Sequence, residues 1–299
     1  MHYRGRFAPS PTGPLHFGSL VTALASYLDA RRHQGEWLVR IDDIDKLRER
    51  PGSARQILAT LESLGMHWDG EVVYQSHHRH LYQQALEALG RADLIYGCNC
   101  SRKQIAAHAK TGVEGFIYPG SCRGRRVLHL ASHSLRLRTT DDAISFDDRI
   151  RGNLTQHIES EIGDFIVRRG DGVFAYQLAV VGGDHQPGIT DLGRGEGLLL
   201  STPRPVDQQQ LLQLPRPAHA PRPRVENADG SKLSKSSNAW PVEMKNPVKT
   251  LNAAMRFLGL PAVEAGSVTE FWPRAVSAWD VAAIHPNDNA PLQQANGAA

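Results

Sequence analysis

The first 50 residues alternate between apolar segments and segments rich in turn-forming residues. Residues 6–8 form a short strand pattern, and the proline-rich run 9–14 follows. Between residues 18 and 34, apolar residues recur with helical spacing at Leu20, Val21, Leu24, Ala25 and Leu28. Residues 37–41 are a second strand candidate, which ends at the acidic run 42–45. This order predicts two parallel strands joined by a right-handed crossover, with ligands bound at the carboxyl ends of the strands.

Similar patterns continue along the rest of the chain. Helices are expected at residues 52–64 and 80–90 and near 247–258, because apolar residues recur there with helical spacing. Strands are expected within residues 135–139 and 164–181, with a turn at Arg169-Gly170-Asp171-Gly172. Repeated prolines disfavour regular structure between Thr202 and Arg224. The polar tail from about residue 287 is expected to be disordered.

The composition is that of an ordinary globular protein. The 299 residues suffice for one or two domains, and 40% are hydrophobic while 22% are charged. The net charge of +3 permits a polyanionic partner without requiring one. The sequence contains neither an apolar run of about 20 residues nor an apolar N-terminal signal, and three cysteines cannot build a disulfide framework. We therefore expect a soluble cytoplasmic protein that does not associate with membranes.

Two distant segments carry residue types that bind nucleotide phosphates. His16, Gly18 and Ser19 lie where the first strand meets its helix. The free N–H groups and the dipole of a helix N-terminus suit phosphate, and a histidine can donate to charge that develops on phosphorus. An incidental histidine at a helix start is the alternative interpretation. The second segment, residues 230–236, holds Lys232 and Lys235 in a Ser/Gly-rich loop, which alone is typical of a solvated surface.

Together the two segments resemble the HIGH and KMSKS signatures of class I aminoacyl-tRNA synthetases. Here they read His16-Phe17-Gly18-Ser19 and Lys232-Leu233-Ser234-Lys235-Ser236. The resemblance implies an α/β fold with a Rossmann-like parallel-sheet catalytic domain. It also implies that an amino-acid carboxylate attacks the α-phosphate of ATP, with Mg²⁺ neutralising the phosphates. His16 and Lys235 would be catalytic, and ATP would be bound by His16, Gly18, Ser19, Lys232, Ser234 and Lys235.

The run Arg6-Phe7-Ala8-Pro9-Ser10-Pro11-Thr12-Gly13 resembles the glutamyl and glutaminyl branch of this class. Glutamate presents two carboxylates and one ammonium group, so its pocket needs cations, an anion and hydroxyl groups. The resemblance implies a glutamate site lined by Arg6, Phe7, Ala8, Pro9, Ser10, Asp42, Tyr176 and Arg194. Relatives usually carry Glu at the position of Asp42, so this chain keeps the charge on a shorter side chain. Ordinary ion pairs and buried hydroxyls are the alternative for each of these residues.

The segment that contains all the cysteines predicts a small metal-binding module. Zinc favours four ligands, so Cys98, Cys100 and Cys122 need a fourth. The Cys-x-Cys pair and the later Tyr-x-x-x-Cys resemble the zinc site of short glutamyl-Q tRNA(Asp) synthetases, which implies structural zinc on Cys98, Cys100, Tyr118 and Cys122. His108 is the alternative fourth ligand. Three reduced structural cysteines without a metal are the alternative to a zinc site.

The stretch after Lys235 is too short for the anticodon-binding region of a full glutamyl-tRNA synthetase. We expect the first half of the catalytic domain at residues 1–94, a zinc-binding insertion at 95–126, the second half with the lysine loop at 127–258, and a C-terminal extension at 259–299. The resemblance then implies tRNA-independent activation of glutamate. It further implies that a monomer transfers the glutamyl group to queuosine in the anticodon loop of tRNA(Asp).

Two other functions stay open at this point. One is a truncated glutamyl-tRNA synthetase that charges a tRNA 3′ end, and the other is a non-catalytic, zinc-stabilised tRNA-binding paralogue. The second is kept open by departures from the family pattern at residues 202–224 and around Gly182-Gly183-Asp184-His185. Relatives often have Val-Asp-Asp-His where this chain reads Val181-Gly182-Gly183-Asp184-His185. Arg123 to Arg126 and Arg216 to Arg224 are candidates for binding RNA phosphates, with a solubilising basic surface as the alternative.

Overall fold

A computed structural model describes residues 2–112, 114–124, 133–149, 152–195, 201–222, 242 and 244–284, with the backbone only for residues 194, 195 and 219–222. The lysine loop with Lys232, Ser234 and Lys235 lies outside the described residues, as does the tail from residue 287. The same holds for Arg125 and Arg126 of the first basic segment. Among the described residues, no helix has both the length and the apolar character that crossing a lipid bilayer would need.

Strands and helices alternate through most of the described chain. The strands are β1 (Arg4–Phe7), β2 (Glu36–Ile41), β3 (Val73–Tyr74), β4 (Ile95–Cys98), β5 (Thr111–Gly112), β6 (Gly115–Phe116), β7 (Ser134–Leu137), β8 (Ala143–Asp148), β9 (Gly152–His157), β10 (Ile166–Arg168), β11 (Asp191–Gly195) and β12 (Ala218–Arg222). The helices are α1 (Phe17–Arg32), α2 (Ser53–Ser63), α3 (Arg79–Arg91), α4 (Arg102–Ala106), α5 (Ile158–Glu161), α6 (Tyr176–His185), α7 (Pro203–Leu211), α8 (Pro247–Phe257) and α9 (Val268–Ser277). The predicted strands near residues 6 and 37 and the predicted helices near 18, 52, 80 and 247 are thereby confirmed.

The main sheet confirms the α/β fold class. Its strand order is β3-β2-β1-β11-β12-β8-β9, and all neighbours are parallel except β9, which runs antiparallel to β8. The chain leaves β1 through α1 to reach β2 on one side and places β11 on the other side. Strand order therefore reverses at β1, and in open parallel sheets the crevice at such a reversal is where ligands bind.

Helix α1 is the centre of the largest hydrophobic core. Leu20, Leu24 and Leu28 have no exposed surface, and the buried indole of Trp37 on β2 donates to Ser26 Oγ at 2.9 Å. Trp279 beyond α9 donates to Asp29 Oδ1 on α1 at 3.0 Å. Residues of α8, α9 and the segment up to residue 284 belong to this same core. The described part of the predicted C-terminal extension is therefore packed against the first half of the catalytic domain.

The cysteine-containing segment shares a sheet with the chain that follows it. Strand β4 opens this segment and pairs antiparallel with β7, which in turn pairs with β10. Buried residues of α3, β7 and α6, including Tyr82, Leu137 and Leu178, form a second hydrophobic core beneath this small sheet. This core anchors the cysteine segment to the main body of the protein.

The expectation that residues 202–224 lack regular structure is wrong. Helix α7 and strand β12 lie within this range. Pro203 and Pro205 fall in the first turn of α7, where backbone N–H groups have no acceptor inside the helix, so these prolines cost no intrahelical hydrogen bond there. Pro221 lies inside β12, opposite Arg194 of β11, so a proline within the segment does not prevent strand pairing there.

Helix α7 carries a buried carboxyl group. Burial raises the pKa of Asp207 from its ordinary 3.8 to about 6, and its Oδ2 atom has no hydrogen-bond partner in the described part of the protein. The native state therefore holds this proton more tightly than the unfolded chain does. By linkage, this group makes the protein less stable as the pH rises from about 4 to about 6.

We expect Asp207→Asn to raise the free energy of unfolding at pH 7 by about 1–3 kcal/mol, because the amide removes the buried charge. At pH 4 the wild-type carboxyl is already largely neutral, so the gain should be small. Urea unfolding at both pH values measures the difference, with the exposed Glu71→Gln as the control. An equal gain at both pH values would contradict the assignment to this carboxyl group.

Candidate active site

A cavity of about 420 Å³ opens where β1 and β2 end. Ser10, Asp42 and Tyr176, three of the residues expected to bind glutamate, line its wall. Ser10 follows β1, Asp42 follows β2, and Tyr176 is the first residue of α6. The two strand ends are joined directly, because the Asp42 backbone N–H donates to the Pro9 carbonyl at 3.0 Å. The fold thus brings together side chains that are far apart in sequence.

Four charged side chains with little exposed surface form a connected set, and one of them, Asp42, lines this cavity. Arg6 donates through Nε and Nη2 to the two carboxylate oxygens of Asp184 at 2.9 and 3.0 Å. Arg40 donates through Nη1 to Asp184 Oδ1 and through Nε to Asp42 Oδ1, both at 2.6 Å. Positive and negative groups therefore alternate from β1 through α6 to β2. We name the set Arg6, Asp184, Arg40 and Asp42 the buried charge chain.

The buried charge chain determines what Arg6 and Asp42 can offer a ligand. Two nitrogens of Arg6 are already bonded to Asp184, so the bidentate carboxylate partner of Arg6 in this structure is a residue of the protein itself. Burial raises the pKa of Asp42, although the Arg40 guanidinium next to it opposes the rise. Asp42 therefore lines the cavity, and its carboxylate is already hydrogen-bonded to Arg40.

Sequence reasoning missed Arg40 and Asp184 as members of the site. Asp184 is the one carboxylate in α6 and lies among buried residues that are otherwise apolar, which is the signal that could have revealed it. A Cβ atom on Gly183 would lie 2.8 Å from Arg40 Nη1, so glycine makes room for the guanidinium here. The departure from the family pattern at Gly183 therefore has a structural reason in this chain.

The remaining residues expected at the site fall in different surroundings. His16 caps α1, where its Nδ1 accepts from the Ser19 backbone N–H at 3.2 Å, and Gly18 lies in the first turn of the helix. Phe7 is buried in the main core and stacks on Trp37 with ring centroids 6.3 Å apart, while Ala8 and Pro9 are half-buried. Arg194 ends β11 beside β1, and its side chain is outside the described residues.

The three cysteines converge on one point. Their sulfur atoms lie within 4.8 Å of one another, and the Tyr118 hydroxyl is 3.3 Å from Cys98 Sγ and 3.6 Å from Cys100 Sγ. In a tetrahedral site with Zn–S bonds of about 2.3 Å, ligand atoms lie roughly 3.8 Å apart. Cys100 Sγ and Cys122 Sγ are 3.5 Å apart. The donor set and its spacing therefore fit a four-coordinate zinc ion.

Tyr118, and not His108, has its side chain beside the three thiols. His108 is exposed and does not join the three thiols within that distance. The Arg136 guanidinium lies 3.7 Å from the centre of the Tyr118 ring. Burial raises the pKa of Cys98, but hydrogen bonds with Tyr118 and Arg136 outweigh it and hold this pKa at about 7, below the ordinary value of 9.0. Thiolate is the form that binds metal.

Replacing Asp184 tests the buried charge chain. We expect Asp184→Asn to lower the free energy of unfolding by about 3–5 kcal/mol, because Arg6 and Arg40 lose their shared buried counter-charge. Urea denaturation at pH 7 measures the loss. The matched control is Asp171→Asn, whose ion pair with Arg169 is exposed on both sides and is expected to cost less than about 1 kcal/mol. Equal losses in the two variants would show that the buried pairs do not stabilise the fold.

Comparison with known proteins shows which family this chain resembles in sequence. A family model for the catalytic domain of class I tRNA synthetases (E and Q) matches residues 2–271. The chain is 47% identical over 285 residues to a glutamyl-Q tRNA(Asp) synthetase of Verminephrobacter eiseniae, covering 93% of this chain and 97% of that one. It is 46% identical over 283 residues to a protein of the same name from Chromobacterium violaceum, covering 94% and 95%.

Among solved structures, the chain is similar to a glutamate tRNA ligase from Elizabethkingia meningosepticum in complex with its amino acid. The TM-score is 0.78 at 24% identity, over 96% of this chain and 66% of that one. This similarity supports the fold, whereas the sequence matches identify the relatives. Because those matches run along nearly the full length of both partners, the chain belongs to the class I glutamyl- and glutaminyl-tRNA synthetase family and, within it, to the glutamyl-Q tRNA(Asp) synthetases.

Proposed function

We propose that this chain activates glutamate with ATP in the absence of tRNA and then transfers the glutamyl group to queuosine in the anticodon loop of tRNA(Asp). The observation that carries the proposal is its 46–47% identity, over nearly the whole length, to proteins named glutamyl-Q tRNA(Asp) synthetase. The cavity at the reversal of strand order, lined by Ser10, Asp42 and Tyr176, supports it with a site of suitable polarity.

The first step forms glutamyl-adenylate. The glutamate carboxylate forms a bond to the α-phosphorus of ATP, and the bond to pyrophosphate breaks with its electron pair leaving on pyrophosphate. The N-terminus of α1, with His16, Gly18 and Ser19, would bind the phosphates through N–H groups that the helix leaves free. Lys232 and Lys235 of the lysine loop would supply positive charge to the phosphates, and Ser234 would supply a hydroxyl group. Mg²⁺ bound with ATP neutralises further phosphate charge.

Glutamate selection rests on groups around the first cavity. Asp42 would accept from the substrate ammonium, and the hydroxyls of Ser10 and Tyr176 would orient the molecule. Arg194 ends the strand next to β1 and would bind a carboxylate, while Arg6 would contribute mainly by holding Asp184 and the charge chain in place. Phe7, Ala8 and Pro9 would shape the backbone of the site.

The second step moves the glutamyl group to RNA. A hydroxyl of the queuosine cyclopentene-diol attacks the acyl carbon, its proton is released, and AMP departs with the electrons of the broken C–O bond. We propose that the enzyme acts as a monomer in the cytoplasm, where it would meet its tRNA substrate. Cys98, Cys100, Tyr118 and Cys122 would hold zinc in a structural role, since four protein ligands leave no open position.

A pyrophosphate-exchange assay without tRNA, run with glutamate, glutamine and aspartate, tests the first step. We expect exchange with glutamate only. Labelled glutamate transferred to queuosine-bearing tRNA(Asp) should then stay on an anticodon-loop fragment after nuclease digestion. Label on the terminal adenosine would instead indicate a truncated glutamyl-tRNA synthetase. Folded protein without any exchange would indicate a non-catalytic tRNA-binding paralogue.

Replacing a cysteine tests the metal site. We expect Cys98→Ser to abolish zinc binding, which is about one ion per wild-type chain, because it removes a thiolate from a four-ligand set. The melting temperature should fall more than the affinity for ATP changes. Metal analysis and thermal unfolding measure these two quantities. His108→Gln is the control and should retain its zinc; loss of zinc from that variant, or a wild-type chain without zinc, would overturn the assignment.

A further inference from the structure

A second cavity, of about 370 Å³, lies beside the first one. Its wall is formed by Arg79, His80, Gln83, Arg168, Gly172 and Phe174. Phe174 also lines the first cavity, so the two cavities share a wall residue. The side chains come from α3, from β10 and from the turn that follows β10. The family resemblance assigns no role to this second cavity.

All titratable side chains in the wall of the second cavity are basic. Arg79, His80 and Arg168 line it, and its wall contains no carboxylate. The first cavity differs, because Asp42, Asp45 and Glu49 line it together with arginines. Two acidic residues near the second cavity have partners of their own: Glu87 accepts from Gln83 at 2.8 Å, and Asp171 pairs with Arg169 at 2.5 Å. The wall therefore favours an anion.

Burial and the neighbouring side chains of His80, His77 and Arg40 lower the pKa of His78, which favours its neutral form. The positive charge of the wall is therefore carried by Arg79 and Arg168. Arg79 and His80 are exposed, and the Arg79 guanidinium lies 5.6 Å from the centre of the Phe174 ring. Phe174 itself is only 5% exposed, so it supports the cation and offers little surface for stacking a base. Recognition at this wall is therefore electrostatic.

The basic segments that the sequence suggested for RNA binding are used differently where the structure describes them. Arg123 donates to Glu159 Oε1 and to the Thr139 carbonyl, both at 2.6 Å, and Arg216 donates to Gln210 Oε1 at 2.8 Å. The Arg123 guanidinium is thus bonded at two nitrogens within the protein, whereas the exposed Arg216 makes one such bond. The cationic wall of the second cavity is better placed, because it shares Phe174 with the cavity of the proposed reaction site.

We propose that the second cavity binds a phosphodiester of the RNA backbone, next to the nucleotide whose base enters the first cavity. This inference rests on the proposed function, which requires an anticodon-loop base to enter the first cavity. The flanking phosphates of that nucleotide stay outside it and need a cationic surface close by. Phosphate contacts position an RNA without reading its sequence, which agrees with a wall that offers charge and little stacking surface.

Charge variants on α3 test this site with purified queuosine-bearing tRNA(Asp). Arg79→Gln should weaken tRNA binding about fivefold at 0.1 M salt and reduce the slope of log K against log salt by about 0.7, which is the effect of one lost phosphate contact with single-stranded RNA. Arg79→Lys should retain most of the affinity. Gln83→Glu lies one helical turn away on the same face and should also weaken binding, whereas Gln83→Lys should strengthen it.

Glutamate-dependent pyrophosphate exchange without RNA should be unchanged in all four variants, because these residues lie outside the first cavity. Arg91→Gln, at the far end of α3 and exposed, is the matched control and should bind tRNA like the wild type. Melting temperatures check that each variant is folded. If the wild type transfers glutamate to tRNA but Arg79→Gln and Gln83→Glu bind tRNA normally, only this inference is overturned and the proposed function stands. If the wild type transfers none, the proposed function fails and the inference fails with it.

Discussion

The site depends above all on one buried carboxylate shared by two arginines. Asp184 of α6 accepts from Arg6 of β1 and from Arg40 of β2, and Arg40 in turn holds Asp42 at the cavity wall. Isolated buried charges are strongly unfavourable, so each member needs its neighbour in place. This requirement couples the ends of two strands to one helix. The same requirement determines the position of the Asp42 carboxylate relative to a bound ligand.

The same principle explains how the site can be polar inside a largely apolar fold. The main core around α1 lies on one side of the sheet, where Phe7 and Trp37 stack. Arg6, next to Phe7 on β1, contacts α6 instead. Successive strand residues point to opposite faces, so a single strand serves both environments. A polar site can therefore lie on the face of the sheet opposite the main hydrophobic core.

The cysteine segment shows a different way of stabilising a small unit. Tyr96, Cys98, Tyr118 and Cys122 form a hydrophobic cluster separate from the two larger cores, and it contains few apolar side chains. A cluster of this size buries little apolar surface, so a metal held by its thiols and the Tyr118 hydroxyl would supply stability that packing cannot. Pairing of β4 with β7 connects the unit to the second core. Arg102, two residues after Cys100, lines the first cavity, so this unit also contributes to the wall of the site.

Local sequence determined the first strand, helix and strand, because their apolar spacing and the proline-rich turn act over a few residues. It also marked His16 and the cysteines by residue type and spacing, whereas Tyr118 was indicated only by the resemblance to the zinc site of relatives. It misjudged residues 202–224, because proline counts say nothing about which turn of a helix receives each proline. Only the tertiary structure decided that Asp184 joins Arg6 and Arg40, that Gly183 leaves room for a guanidinium, and that Arg79 and Arg168 share one wall. These contacts join residues far apart in the chain, and electrostatic pairing across such distances exists only once the strands and helices have packed.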